Sequence, residues 1–326
     1  MAISMGDPSG IGPEVVLKAL SSPKKKYRFQ PLIIGSRRVF ERTRSSLKLP
    51  LLLAPIKKPE DIAAPHQGIP VLETETFPER LPRFGAIDPA WSAAAMKCVE
   101  KGAELARSGE MDALVTAPIN KEGIHKAGYS FQGHTDFLAH LTGASDYAMM
   151  MVGGKIRVVL ASVHIPLRRV SASLTAAGIL NKIKLAHAAL VELGIASPRI
   201  AVAGLNPHAG EGGAFGREEI EVIKPAVDLA KKEGIAVSGP LPPDALFHKL
   251  FRGDYDLAVT MYHDQGLIPL KMVAFDRGVN VTLGLPLIRT SPDHGTAYDI
   301  AGKGLADPGS MIEAVEMACR LAFSRK

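Results

Sequence analysis

Short apolar runs that end in turn residues alternate along the chain with longer segments whose apolar positions have helical spacing. Six of these runs are predicted strands: residues 2–5, 32–34, 113–115, 158–163, 200–205 and 257–261. Strands that alternate with helices are typical of a parallel sheet with crossover helices. The pattern therefore predicts an α/β fold.

Three of the intervening segments carry helix signals. Asp88 is predicted to cap a helix that runs towards Ser108, and residues 176–193 form a second predicted helix. For the last helix, Ser310 is the predicted N-cap and Glu313, three residues later, completes a capping box. The sequence thus predicts long helices between and after the strands.

The chain has 326 residues, 46% of them hydrophobic and 22% charged, as in an ordinary globular protein. A single core rarely extends beyond about 250–300 residues, so the length favours two domains with a cleft. Residues 49–83 are rich in proline and lack a clear period, so they are predicted to be irregular and are given no role.

Charge and composition exclude several classes of function. The net charge is +6, the basic residues are scattered apart from Lys24, Lys25 and Lys26, and aromatics are 6%, which argues against nucleic-acid binding. Cys98 and Cys319 form neither a metal motif nor a disulfide framework, so a reducing, cytoplasmic location is expected. No apolar run approaches the length of a membrane span, so no membrane partner is expected.

Three histidines follow predicted strands at equivalent positions: His164, His208 and His263. A lone histidine at such a place is usually an ordinary hydrogen-bonded residue. Three of them at the carboxyl ends of parallel strands, where ligands bind, predict a site for a divalent ion with an open position. Asp244 and Asp264 are candidates for further ligands or for hydrogen bonds to the histidines, with solvated turns as the alternative.

Two groups of polar residues suit an anion. His134 and Thr135 precede an apolar helical stretch, and a helix N-terminus favours phosphate or carboxylate; the alternative is that Asp136 simply caps this helix. The second group flanks apolar runs and consists of Lys271, Asn280 and Arg289.

Two glycine-rich loops and one longer loop complete the candidates. Residues 6–14 match neither the GxGxxG fingerprint nor the Walker A pattern. Residues 209–216 would let the backbone approach a ligand closely, with a mobile linker as the alternative. In residues 294–308, Asp299 could accept hydrogen bonds from a ribose diol and would repel a 2′-phosphate, which favours NAD over NADP.

Five segments in this order resemble the 4-hydroxythreonine-4-phosphate dehydrogenase family of vitamin B6 biosynthesis: residues 6–14, 133–135, 206–213, 261–266 and 284–291. The resemblance spans nearly the whole chain, and residues 294–308 are also similar to the adenosine-binding loop of isocitrate and isopropylmalate dehydrogenases. It implies a homodimer of two-domain α/β/α subunits without a standard Rossmann fold. Residues 1–129 with 266–326 would form the domain with the NAD-binding loop, residues 130–265 the domain with metal and substrate ligands, and the active site would occupy the cleft between them.

The resemblance also implies residue roles. His164, His208 and His263 would bind the ion, one of them contributed by the partner subunit; zinc is expected, with magnesium or cobalt as alternatives. The substrate would contact His134, Thr135, Lys271, Asn280 and Arg289. Of these, Lys271 and His134 would be catalytic, with Lys271 moving a proton. The cofactor, NAD with NADP as the alternative, would contact His294, Gly295 and Asp299.

The implied reaction is oxidation of the C3 hydroxyl of 4-phosphooxy-L-threonine by NAD, followed by loss of CO2 to give 3-amino-2-oxopropyl phosphate. A paralogous enzyme that acts on 4-phospho-threonate or 4-phospho-erythronate is the first alternative. Two others remain open: a metal-dependent phosphohydrolase or acyl-phosphate transferase that needs no NAD, and a non-catalytic metabolite-binding protein.

Overall fold

The computed structural model describes residues 1–22, 29–63, 67–74 and 77–325, so the run Lys24, Lys25 and Lys26 lies outside the described residues. The strands in these residues are β1 (Ala2–Ser4), β2 (Leu32–Ile34), β3 (Leu53–Ile56), β4 (Ile69–Leu72), β5 (Leu114–Thr116), β6 (Ala148–Gly153), β7 (Ile156–Leu160), β8 (Ile200–Ala203), β9 (Val237–Leu241), β10 (Leu257–Thr260), β11 (Val279–Leu283) and β12 (Arg289–Pro292). The helices are α1 (Gly12–Ser21), α2 (Arg37–Leu47), α3 (Pro89–Ser108), α4 (Lys121–Lys126), α5 (His134–Thr142), α6 (Val170–Ser173), α7 (Ala176–Glu192), α8 (Lys224–Lys232), α9 (Pro243–Arg252), α10 (His263–Ala274) and α11 (Gly309–Ser324).

The described residues divide into two compact units. Unit 1 comprises Met1–Ala144 with Leu285–Ala322, and unit 2 comprises Ser145–Gly284 with the described residues from Phe323 onward. The resemblance implies domain boundaries after residues 129 and 265. Both boundaries between the two units lie further along the chain, after Ala144 and Gly284. The first lies later because the Phe137 ring of α5 packs edge-on against Tyr129 in unit 1. The second lies later because Leu267 and Leu270 of α10 belong to the core of unit 2.

Unit 1 is built on a parallel sheet with the strand order β3-β4-β2-β1-β5-β12. The central strand β1 pairs with β2 on one side and β5 on the other, and all three of its residues are buried. Strands covered on both faces are apolar without alternation, which explains the short continuous runs in the sequence. The predicted strands at residues 2–5, 32–34 and 113–115 are confirmed.

Unit 2 has the strand order β11-β6-β7-β10-β8-β9. The β11–β6 and β6–β7 pairs are antiparallel, whereas β7–β10, β10–β8 and β8–β9 are parallel. Its core includes Val158, Leu160, Ala201 and Ala258 from the three parallel strands. Strands are confirmed within the predicted runs 158–163, 200–205 and 257–261, but they end at Leu160, Ala203 and Thr260, before the last residues of each run. The α/β prediction holds for both units.

Two predicted helices are confirmed, and the start of a third differs. Asp88 accepts a hydrogen bond from Ala90 N (3.2 Å) at the start of α3, and α7 covers the second predicted segment. The last helix begins at Gly309, one residue before the predicted cap. The Ser310 hydroxyl accepts a hydrogen bond from Asp293 N (2.9 Å), while Asp307 Oδ1 accepts one from Gly309 N (2.7 Å).

The segment 49–83 is more regular than its sequence indicates. Its described residues contain β3 and β4, which pair with each other in parallel, and β4 also pairs with β2. The prediction of an irregular segment is wrong for these strands. They are only four residues long and carry Pro55 and Pro70, so the sequence lacks a readable period there.

No single helix in the described part of the chain is long and apolar enough to cross a membrane. The segments Leu167–Ser173 and Ala176–Glu192 pass that test only as a pair, with a bend of 94° between them.

Candidate active site

The three histidines of the predicted metal site follow three adjacent strands of unit 2. The strands β7, β10 and β8 are parallel neighbours, so their carboxyl ends lie at the same edge of the sheet. His164 follows β7, His263 is the first residue of α10 after β10, and His208 follows β8. The sheet order, which the sequence does not reveal, is what makes these loops neighbours.

Two of these histidines come together in the chain. The ring centroids of His164 and His263 are 5.8 Å apart, with an angle of 41° between the ring planes. Of the two roles that the sequence leaves open for Asp264, the hydrogen bond to a histidine matches its position, because its Oδ1 lies 2.7 Å from His263 Nδ1. A carboxylate at Nδ1 orients the ring and leaves Nε2 for a ligand. Asp244, at the start of α9, instead accepts a hydrogen bond from Ala245 N (2.8 Å).

Buried polar side chains join the ends of these strands. The Ser162 hydroxyl, after β7, donates to Met261 O (2.7 Å), after β10. Gln265 accepts from Met261 N (2.7 Å) through Oε1 and donates to Gly204 O (2.7 Å) through Nε2, so it connects the ends of β10 and β8. The sequence pattern predicts neither side chain; for Ser162 the available signal is a polar residue between the apolar Ala161 and Val163.

His208 lies in a turn of unusual backbone conformation. Residues 208–212 all have positive φ, from 41° to 79°, within the segment Pro207–Gly213. Three of them, His208, Ala209 and Glu211, are not glycine. A non-glycine residue costs roughly 1–2 kcal/mol in this left-handed region, so the surrounding structure must stabilise the turn. His208 itself is exposed, with its ring centroid 6.2 Å from that of Phe215.

Among the described residues, no group of three or more His, Cys, Asp or Glu side chains is arranged to hold a metal ion. His208 is therefore not brought to the His164–His263 pair within one chain, and the three-histidine site stays a prediction. The donor types fit a divalent ion nonetheless, since imidazole nitrogens suit zinc, cobalt and related ions.

Unit 1 holds a buried cation next to a buried imidazole. Arg289, on β12, is only 2% exposed and donates to Thr116 Oγ1 from Nη2 (2.7 Å) and Nε (3.2 Å). Burial lowers the pKa of the guanidinium to about 9, so it remains cationic at neutral pH. His134 and Thr135 are the first two residues of α5, where helix N–H groups face outward and favour an anion. His134 Nε2 is buried and has no hydrogen-bond partner in the described structure.

The His134 side chain should make stability depend on pH. Burial, with the nearby Arg289 charge, lowers its pKa well below the ordinary 6.5. As the pH falls through about 6.5, the unfolded chain takes up a proton at this residue and the folded chain does not, so acid destabilises the fold. We expect this loss to be smaller in His134→Asn, by up to about 1.4 kcal/mol per pH unit. Urea unfolding of both proteins between about pH 7.5 and 5 measures the difference, and parallel pH curves would contradict it.

The remaining predicted substrate residues belong to unit 2. Asn280 is on β11, and its Oδ1 is buried without a hydrogen-bond partner among the described residues. Lys271 is on α10, where its Nζ lies 5.6 Å from the centroid of the Phe275 ring. A buried amide oxygen that lacks a protein partner is a good position for a ligand donor.

The loop at residues 294–308 packs against the glycine-rich loop at residues 6–14. Ile11 N donates to Thr296 O (3.0 Å), and the Tyr298 hydroxyl donates to Asp7 Oδ2 (2.6 Å). The Asp7 carboxyl is buried, which raises its pKa, and burial also raises the pKa of Tyr298. The glycine-rich loop therefore supports the other loop and fixes its shape.

The following turn of this loop is held by charged groups on α1. Glu14 Oε1 accepts from Ala306 N (2.9 Å), and Lys18 Nζ donates to Gly304 O and Ala306 O (both 2.8 Å) and to Glu14 Oε1 (2.8 Å). Of the predicted cofactor residues, Asp299 and Gly295 are exposed. His294 Nε2 is buried and has no partner in the described residues, as expected of a position that a ligand would complete.

We expect Tyr298→Phe to destabilise unit 1 by about 1–3 kcal/mol, because it leaves the buried Asp7 carboxyl without one of its donors. If residues 294–308 bind the cofactor, the same change should also weaken NAD binding. Urea unfolding measures the first effect, and NAD titration followed by protein fluorescence measures the second. Tyr255→Phe is a control in unit 2. Wild-type stability in Tyr298→Phe would contradict the prediction.

A cavity of about 790 Å³ in unit 1 is lined by residues of β4, α3 and α5, among them Lys97 and Arg107 of α3, and by Lys57 and its neighbours. None of the predicted site residues lines it. This cavity is therefore separate from the residues that carry the candidate chemistry.

Comparison with known proteins agrees with this architecture. A family model described as pyridoxal phosphate biosynthetic protein PdxA matches residues 27–318. The D-threonate 4-phosphate dehydrogenase of Cupriavidus necator is 44% identical over 326 residues, which cover 100% of this chain and 98% of that protein. The 4-hydroxythreonine-4-phosphate dehydrogenase of Desulforapulum autotrophicum is 46% identical over 319 residues, which cover 98% and 94%.

Among solved structures, the 4-hydroxythreonine-4-phosphate dehydrogenase of Klebsiella pneumoniae is 41% identical, with a TM-score of 0.89 and coverage of 99% of this chain and 97% of that one. Together with the fold, these matches make the chain a dehydrogenase of the α/β class. More particularly, it belongs to the family of pyridoxal phosphate biosynthetic protein PdxA. The resemblance seen in the sequence motifs is confirmed.

Proposed function

We propose that the protein oxidises the C3 hydroxyl of 4-phosphooxy-L-threonine, with NAD and a divalent ion, and releases CO2 to give 3-amino-2-oxopropyl phosphate for pyridoxal phosphate biosynthesis. The observation that carries this proposal is the position of His164 and His263 at the ends of adjacent strands, with their rings 5.8 Å apart. The family membership supports the substrate class.

His164, His208 and His263 would hold the ion, and Asp264 would orient His263 through its Nδ1. When bound, a divalent ion, zinc or its substitutes magnesium and cobalt, supplies Lewis-acid stabilisation of negative charge on a substrate oxygen. The Ser162 and Gln265 hydrogen bonds fix the loops that carry the histidines before any ligand arrives. Because these loops are already in place, they do not have to rearrange during the chemical step.

Arg289 and His134 would bind an anionic group of the substrate. The buried guanidinium is already oriented by Thr116, so the substrate meets a charge that needs little further ordering. His134 is neutral at neutral pH because of its lowered pKa, so it can donate one N–H to the anion without losing a proton. Thr135, beside it in the first turn of α5, would add a hydroxyl donor.

Asn280 and Lys271 would complete the substrate contacts. The Asn280 amide oxygen would accept a hydrogen bond from a substrate hydroxyl or amine. Loss of CO2 leaves an electron pair on the neighbouring carbon, and we assign delivery of the proton that this carbon needs to the Lys271 ammonium.

The loop at residues 294–308 would bind the nucleotide through His294, Gly295 and Asp299. Its fixed backbone, the exposed Asp299 carboxylate and the buried His294 Nε2 support this assignment. When bound, NAD supplies the hydride acceptor. The Asp299 carboxylate would accept hydrogen bonds from the ribose diol and disfavour NADP.

We also propose a homodimer that shares the metal site. Helix α10 begins at His263, and it and the residue that follows it expose apolar side chains: Ile268 is 59% exposed, Met272 83% and Phe275, directly after the helix, 72%. A second copy that covers these side chains would remove apolar surface from water next to a proposed metal ligand. The cytoplasmic location stays a prediction.

D-threonate 4-phosphate is the second candidate substrate, because relatives named for it are as similar as those named for 4-hydroxythreonine 4-phosphate. The two substrates differ at C2, where one has a hydroxyl and the other an amine. The discriminating measurement is kcat/KM for both compounds under the same conditions, since a polar contact left unpaired can discriminate strongly.

The test of the proposal is NADH formation by the purified protein with 4-phosphooxy-L-threonine and NAD, with and without a chelator and with added zinc. Metal-dependent NADH formation supports it. Preference for D-threonate 4-phosphate or erythronate 4-phosphate would keep the chemistry and change the substrate. Release of phosphate without NADH would replace the proposal with a phosphohydrolase, and binding without turnover would replace it with a metabolite-binding protein.

A further inference from the structure

A buried carboxylate holds the chain segment that leads to His208. Glu219 is 3% exposed and lies at the start of a single π-helical turn, Glu219–Ile223. Its Oε1 accepts hydrogen bonds from Leu205 N and Asn206 N, both at 2.7 Å. Its Oε2 accepts one from Asn206 Nδ2 at 3.0 Å. Three N–H groups immediately before the left-handed turn therefore converge on one side chain.

The backbone on both sides of the carboxylate is shaped around it. A Cβ at Gly204 would lie 3.1 Å from Glu219 Oε1, and a Cβ at Gly210 would lie 2.6 Å from Oε2. Gly210 also has a φ of 79°, a left-handed conformation that glycine adopts readily. Both the lack of space for a Cβ and the backbone angle therefore favour glycine here. The loop thus encloses the carboxylate from the strand end to the middle of the turn.

Asn206 connects this arrangement to a second acid. Its Nδ2 also donates to Glu218 Oε2 (2.8 Å), and Glu218 Oε1 accepts from the Ser171 hydroxyl (2.6 Å). The hydrogen bond from Ser171 and those from Asn206 and the backbone lower the pKa of Glu218, so it remains ionised. Two successive acidic residues, Glu218 and Glu219, therefore accept hydrogen bonds from the segment before His208.

We infer that Glu219 is a positioning residue for metal binding: it holds His208 in the one loop conformation that can donate its imidazole to the ion. This inference rests on the proposed function, because it takes His208 as a ligand. The side chain acts through the loop and does not need to touch substrate or ion. The strained turn at residues 208–212 explains why such a support is needed, since without it the turn would relax to ordinary backbone angles.

The chemistry of the contact favours a glutamate over its closest substitutes. A glutamine that keeps the two backbone hydrogen bonds must turn its amide N–H groups towards Asn206 Nδ2, which is also a donor. An aspartate is shorter by one methylene and cannot reach both backbone N–H groups from the π-helical turn. Glu219→Gln therefore keeps the size of the side chain but replaces one of its two acceptor oxygens with an N–H donor.

The experiment is a titration of the full-length metal-free protein with Co²⁺, followed by the visible absorption of the bound ion. We expect Glu219→Gln to raise the Kd for Co²⁺ by about 10–100-fold, the usual effect of losing a group that supports a metal ligand. The ligand-field spectrum should also change, because one donor is no longer fixed, and excess Co²⁺ should restore part of the activity. Glu221→Gln, in the same turn but exposed, is the matched control and should bind Co²⁺ like the wild type.

His208→Ala is measured in parallel to separate this inference from the proposed function. Wild-type affinity in His208→Ala would overturn the role of His208 and this inference with it. A loss in His208→Ala but not in Glu219→Gln would overturn the inference alone, even if the unfolding midpoint of Glu219→Gln were lowered. If Glu219→Gln does not fold, Asn206→Ala, which removes only the side-chain donor, should weaken Co²⁺ binding several-fold, and an unchanged Kd would overturn the inference.

Discussion

Replacing His263 with alanine is expected to remove the metal-dependent activity, with a loss of kcat/KM of at least about 10³-fold. A metal that stabilises charge on a substrate oxygen contributes several kcal/mol, and each 1.4 kcal/mol corresponds to a factor of ten. His164→Ala should have the same effect, because the two rings lie 5.8 Å apart. Kinetics with NAD and the phosphorylated substrate, together with the zinc content after dialysis, measure both losses.

The fold should tolerate these two changes. His164 is exposed and His263 is half-buried, so neither truncation opens a cavity in the core. His248→Ala, an exposed histidine on α9, is the matched control and should keep both its zinc content and its activity. Unchanged zinc content and activity in His164→Ala and His263→Ala would remove these residues from the proposed site.

Replacing Arg289 with methionine is the second large change. We expect kcat/KM to fall by about 10²–10⁴-fold, because hydrogen bonds from a charged donor contribute about 1.5–3 kcal/mol each and a guanidinium can donate two to an anion. Stability should change much less than activity. The arginine is 2% exposed and its burial lowers the guanidinium pKa, so the folded chain bears a desolvation cost for this charge that a methionine of similar length does not have.

Comparison of kinetics with urea unfolding tests this prediction. Arg320→Met, an exposed change on α11 in the same unit, is the control. Thr116→Val separates orientation from charge, since it keeps the guanidinium and removes the hydroxyl that accepts its hydrogen bonds. We expect the kcat/KM of Thr116→Val to lie between those of the wild type and Arg289→Met. If Arg289→Met is destabilised but keeps kcat/KM within about two-fold of the wild type, the arginine has only a structural role.

The strands that the sequence predicted share one property: they lie inside a sheet and are apolar at nearly every residue, as in β1, β7, β8 and β10. Two of the strands that it did not predict have different compositions. β9 contains Gly239 and Pro240 and lies at the end of the strand order, where proline is tolerated. β12 begins with a buried Arg289, which no periodicity argument would place in a strand interior.

In the candidate site, too, some residues could be selected from the sequence and others could not. Residue type and position after a strand were enough to select His164, His208 and His263, because imidazoles at the carboxyl ends of parallel strands are typical of ligand sites. The residues that support them were not selected. Glu219 lies 11 residues beyond His208 in the numbering, and only the folded loop shows that its carboxylate accepts hydrogen bonds from Leu205 and Asn206.

By itself, the sequence determined the α/β class, the interior strands, the long helices α3 and α7 and the family, because these depend on local patterns and ordered motifs. Only the tertiary structure decided the order of the strands, the boundaries of the two units and which side chains meet. These depend on pairings between residues far apart in the chain, such as Tyr298 with Asp7 and Gln265 with Gly204. Local periodicity carries no information about such pairings, because packing and hydrogen bonding select them only when the whole chain folds.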